Sequence, residues 1–185
     1  MRLKTKWANK NKERSIEEIA SALAFTIWRI GMQGVLNLEN ENFQTDTQSQ
    51  RVDLVDEFVI FLTHLTDRIA YRELDDDQRF RLIKALALRL AQFDHEDRQQ
   101  TDGPGEYRDA FISLFNARME DYSECKWTPE EGPGFSMTRT FGDHVTHKLG
   151  ERDQKWATTY IQDIESAEAE KTLKRAIQSL FGWEI

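Results

Sequence analysis

At 185 residues, with 39% apolar and 31% charged side chains, the chain is long enough to bury one sizeable core, and its 11 Phe, 5 Trp and regularly spaced Leu and Ile exclude a disordered polymer. A formal net charge of −8 argues against a phosphate-binding surface, which needs concentrated Lys and Arg, so no nucleic-acid partner is expected. The single cysteine, Cys125, excludes an intrachain disulfide and points to a reducing, cytoplasmic setting.

The charge is unevenly placed. Residues 1–14 hold Arg2, Lys4, Lys6, Lys10, Lys12 and Arg14 against Glu13 alone, a basic arm of +5 ahead of a body, residues 15–185, that carries −13. Trp7 within the arm could dip into the headgroups of an anionic membrane while its basic neighbours neutralise the surface, so peripheral membrane association is one expectation. No apolar signal core follows the basic residues, because Ser15 to Ala24 includes Glu17 and Glu18. The longest uncharged run, Ile19 to Trp28, is shorter than the ~18 residues of a membrane span, so no integral segment is expected.

Ser15 and Glu18 form a capping box, and Ile16, Ile19, Ala20, Leu23, Ile27 and Ile30 recur three or four apart, which predicts a helix over 15–36. Gly31 and Gly34 weaken that helix or let a neighbour approach closely. A polar loop over 39–50 follows. Segment 51–73 carries Val52, Val55, Phe58, Val59, Leu62, Leu65 and Ile69 on a broad apolar face and reads as the central helix. Asp75 or Asp76 can cap the next helix, whose core face is Phe80, Ile83, Leu86, Leu90 and Phe93. The two form an antiparallel hairpin with a very short link.

Thr101 to Gly105 is the clearest break, and Pro104 suits the first turn of a helix over 104–126 that buries Tyr107, Phe111, Leu114 and Phe115. Pro129 to Gly134 is the second break. Met137, Phe141, Val145 and Leu149 then mark a shorter helix. Over 151–181 the spacing of Trp156, Tyr160, Ile164 and Ala167 slips in phase before Leu173, Ile177, Leu180 and Phe181, which predicts a kinked helix or two helices. No alternating segment suggests a sheet. The expected fold is an all-α, single-domain antiparallel bundle of five to seven helices.

Asp53, Glu57 and His64 fall within roughly 40° of one another on a helix, with Asp67, Arg68 and Tyr71 nearby. That strip lies about 120° from the centre of the apolar face, so it is expected to meet solvent or the bundle's edge. Asp143-His144-x-x-His147 places two imidazoles on adjacent helical positions, with His144 in phase with the core and His147 turned outward. Were the two helices to meet, Glu57, His64, His144 and His147 would offer a ligand set for zinc or iron. The Glu-x-x-His pair of di-iron bundles is missing.

No catalytic residue or organic cofactor is expected: there is no nucleophile elbow, phosphate-cradling loop or dinucleotide fingerprint, Cys125 sits beside Glu124, and Asp75-Asp76-Asp77 lacks the alternation of a calcium loop. Phe181, Trp183 and Ile185 either pack back onto the body or dock into a partner. The sequence is read as a non-catalytic helical domain that binds a protein partner or assembles with itself. A metal-binding bundle is the alternative, and peripheral membrane association the third.

Overall fold

Helix α1 (Ile16–Asn40) starts where the Ser15 side chain accepts a hydrogen bond from the Glu18 amide at 3.2 Å, the cap that the sequence announces. The computed structural model describes residues 14–149 and 154–185, so the basic arm up to residue 13, with Trp7, lies outside the described residues. Helix α2 (Gln48–Glu73) is capped by Thr47 and α3 (Asp76–Thr101) by Asp75, whose carboxylate accepts from the Gln78 amide at 2.8 Å. Helix α4 (Arg108–Ser123), a minimal antiparallel ladder of β1 (Trp127–Thr128) with β2 (Gly132–Pro133), and α5 (Phe135–Lys148) follow. The last rod is continuous: α6 (Gln154–Tyr160), a π-helical segment Ile161–Glu165, and α7 (Ser166–Phe181). The described residues are 80% helical and form a closely packed all-α bundle.

Contacts set the directions. Glu39 meets Arg51 while Gly31 lies against Val55 and Val59, so α1 and α2 run antiparallel. Asp67 with Arg79 and Asp53 with Arg98 make α2 and α3 antiparallel as well. Phe58 and Phe61 pack against Phe141, and Gln50 reaches the Lys148 carbonyl, which sets α5 antiparallel to α2. Helix α2 therefore has neighbours on every side, and every residue from Leu54 to Asp67 is buried.

The two glycines of α1 make this closeness possible. A Cβ on Gly34 would sit well inside van der Waals contact of the Phe58 ring, and one on Gly31 would lie 3.0 Å from Val59 Cγ1. Helix α1 is long and apolar enough to cross a membrane by length and composition, but half of that stretch is buried inside the bundle. A core helix meets the same criterion.

Several sequence expectations need correction. Helix α4 begins at Arg108, so Pro104 precedes it instead of occupying its first turn; Gly103 takes φ 94° and the Tyr107 hydroxyl donates to the Gly103 carbonyl at 2.9 Å, closing a loop. Phe80 is 65% exposed, because α3 buries Leu82 and Leu86, and Phe80 lies two residues, about 200°, from Leu82. Trp156 and Ile164 are also largely exposed. The buried register of the last rod is instead Ala157, Ile161, Glu165, Ala169, Leu173 and Ile177, a repeat of four. A repeat of four drifts about 40° per step on a 3.6-residue helix, and the wider π turn, where the Ser166 amide donates to the Ile161 carbonyl, absorbs part of that drift. The irregularity expected between Ala167 and Leu173, where α7 is regular, lies earlier, at Ile161–Glu165. The apolar tail packs back: Phe181 stacks on Trp183 at 4.0 Å, and Phe181, Trp183 and Ile185 are partly buried against the core.

Gly34→Ala is expected to lower stability by about 1–3 kcal/mol through overpacking against Phe58, measurable as a drop in the urea midpoint at unchanged slope.

Candidate functional site

Two of the three polar residues on the α2 strip do not face solvent, while Asp53 stays partly exposed. Glu57 is fully buried and His64 nearly so, which overturns the expectation that their strip lies at an edge. The reason is tertiary: α3, α4 and α5 cover the flank of α2 opposite α1. Each buried carboxylate of α2 meets an arginine from another helix. Glu57 accepts two hydrogen bonds from Arg118 of α4, at 2.8 and 2.9 Å. Asp67 accepts a matching pair from Arg79 of α3, at 2.7 and 2.8 Å, with Arg68 adding a third contact. Arg98 of α3 binds Asp53 and Asp56 at 2.7 Å each and Asp94 at 2.6 Å.

The Arg98 cluster holds more acid than base. Burial first, and then the neighbouring Asp94 charge, pushes the Asp56 carboxyl well above the usual carboxylate range, with the Arg98 guanidinium opposing that rise. Burial raises Asp94 as well. A recess of about 240 Å³ between Tyr107, Phe111 and Leu114 opens beside this cluster, but Arg98 already occupies its charged wall.

The four residues put forward as metal ligands separate into different roles. Glu57 is engaged by Arg118. His64 packs against the Tyr122 ring at 5.5 Å, and neither of its nitrogens has a hydrogen-bond partner. His144 lies on the other side of Tyr122, at 5.9 Å between rings, and its Nε2 is 3.1 Å from Asp121. His147 is exposed, as the sequence suggested. Among the described residues no group of three His, Cys, Asp or Glu side chains converges with metal-binding geometry. Tyr71 is exposed beside Arg79, and Cys125 is half-buried, with its thiol against the Asp121 carbonyl at 3.5 Å.

Sequence reading missed Glu165. It is 3% exposed, at the end of the π segment, in an apolar register position. It lines a half-open cleft of about 330 Å³ between α1 and α7 with Thr26, Arg29, Gln33, Asn37, Glu168 and Thr172. Burial pushes its carboxyl up to about 7, with the Asn37 amide opposing that rise and Glu168 adding to it. No spacing signal could have found it, because a glutamate at a core position looks like any surface glutamate until the partner helix is placed.

Beyond the cleft, the outer ridge of α1 exposes Phe25, Met32 and Leu36 by 57%, 44% and 42%. Comparison of the chain with protein-family models, curated proteins and solved structures gives no match.

Arg118→Met is expected to cost about 3–5 kcal/mol, because it strands the Glu57 charge in the core, while the double change Glu57→Leu, Arg118→Met should return most of that stability in the same denaturation assay. His64 is pushed down to about 4 from 6.5, by burial and then by Arg68. The unfolded chain thus binds a proton that the native state refuses, so this residue's contribution is complete above about pH 6.5 and is lost as pH falls toward 4. His64→Leu should flatten that part of the acid limb in melts recorded across the same range.

Proposed function

We propose that the chain is a non-catalytic helical interaction domain that assembles with a second copy of itself through the exposed ridge of α1. The observation that carries this reading is the spacing along the most apolar described helix. Phe25 and Met32 are seven residues apart, as are Arg29 and Leu36, and the two pairs interleave by four and three residues. That is the seam of a helix pair, repeated on the side of α1 that the bundle leaves open. The core already uses the other side, with Ala20, Leu23, Ala24 and Ile27.

Arg29 fixes the favoured direction. In a parallel pair it would face its own copy, whereas an antiparallel two-fold pair sets each Arg29 stem beside apolar residues of the other chain and keeps its head in water. The body is acidic, so two copies repel at low ionic strength, and screening the charge favours the pair.

Light scattering coupled to gel filtration should give a mass that rises from 21.7 kDa toward twice that value as protein concentration increases, with the rise steeper in about 0.5 M salt. Phe25→Glu with Met32→Glu should hold the chain at the monomer mass without lowering its melting temperature, since both residues are exposed. A wild-type mass that stays monomeric at every concentration in high salt rejects the proposal.

A further inference from the structure

The cleft between α1 and α7 contains a buried carboxylate that no cation among the described residues is seen to bind. Among the described residues, Asp56, Glu57, Asp67 and Asp94 are each buried and each bound by an arginine. Glu165 is equally buried, but its hydrogen-bond partner is the neutral amide of Asn37, whose Nδ2 donates at 3.1 and 3.2 Å to the two carboxylate oxygens. Gln33 holds Asn37 in turn, its Nε2 donating to Asn37 Oδ1 at 2.9 Å. The chain Gln33 to Asn37 to Glu165 orients the carboxylate and leaves most of its acceptor capacity unused.

The rest of the lining has the same polarity. The Thr26 hydroxyl donates to the Ala22 carbonyl at 3.1 Å and the Thr172 hydroxyl to the Glu168 carbonyl at 2.9 Å, so both offer only lone pairs to anything else. The charged groups that line the cleft are Glu165 and Glu168 from the last rod and Arg29, exposed, from α1. Its volume of about 330 Å³ falls at the small end of ligand pockets, which span roughly 300–1,000 Å³. The π turn at Ile161–Glu165 delivers Glu165 to this wall, and π turns often mark functional positions.

We propose that this cleft binds a small ligand bearing a primary or secondary ammonium group, which ion-pairs with Glu165 and donates its remaining N–H bonds to the acceptors around it. An ammonium supplies charge and further donors together, where the described lining gives the carboxylate only the neutral Asn37 amide. A neutral alcohol of the same size would leave the buried carboxylate uncompensated. Binding needs the ionised carboxyl, so affinity rises with pH through the range near 7 in which Glu165 loses its proton. Arg29 and Glu168 are the other charges facing the ligand, and they partly offset one another.

Calorimetric titration of the full chain with putrescine, with ethanolamine and with the uncharged diol matching putrescine in length tests this directly. Both amines should bind at about pH 8.5 and weaken about 30-fold at about pH 5.5, following the ionised fraction of a group that titrates near 7. The diol should not bind. Glu165→Gln keeps the contact with Asn37 and should lower amine affinity at least ~10-fold at about pH 8.5. Thr172→Phe, at an exposed position of the lining, should block the cleft with the carboxylate intact, which keeps the test decisive if Glu165→Gln fails to fold. Failure of both amines to bind at either pH, equal binding of diol and diamine, or amine affinity unchanged in the folded variants would each overturn the proposal.

Discussion

The structure depends on α2 being enclosed on all sides while carrying charge. A helix in that position is ordinarily apolar all round, yet this one buries Asp56, Glu57, His64 and Asp67 within four turns. Isolated ionised groups cannot persist there, and the bundle meets the constraint by sending one arginine to each acidic position from a different place: Arg79 and Arg98 from the two ends of α3, and Arg118 from α4. These pairs need not add net stability over apolar residues of the same volume. Their effect is on register, because sliding α3 or α4 by one turn along α2 would strand a carboxylate in the core.

Close approach and charge pairing divide the flanks of α2 between them. Toward α1 the contact is apolar and tight, with Gly31 and Gly34 admitting Val59 and Phe58 to the helix backbone. Toward α3, α4 and α5 the contact is mixed, with arginines paired to the carboxylates and Phe61 stacked on Phe141. Tyr122, His64 and His144 pack against one another where α2, α4 and α5 meet. Burial raises the Tyr122 hydroxyl well above its usual range and lowers both histidines, so all three are neutral near pH 7.

The exposed seam and the cleft both belong to α1 and adjoin at Arg29. Phe25, Met32 and Leu36 carry the seam, and Thr26, Gln33 and Asn37 border the cleft. The neighbouring α7 supplies the remaining wall, and the π segment sets which of its side chains enters it. Four-residue spacing from Ala157 to Ile177 keeps one face on the core only if the helix widens locally, and the residue that ends the widened turn is Glu165.

Much of the architecture follows from local chemistry that a sequence displays. The caps at Ser15 and Asp75, the breaks near Gly103 and Gly132, and the apolar repeats of α1 and α2 fix where helices start, stop and which flank each buries, because these are interactions among residues a few positions apart. What surrounds a helix on its remaining flanks is a different matter. Glu57 and His64 lie far from the apolar face of α2 and would meet water in a smaller bundle; only the docking of α4 and α5 buries them, and only tertiary structure could assign Arg118 as partner, 61 residues away in sequence. Glu165 was hidden for the same reason, since its burial and its contact with Asn37, 128 residues distant, arise from packing between the two ends of the chain. Periodicity reports one buried face, and it is silent on a helix that buries all of them.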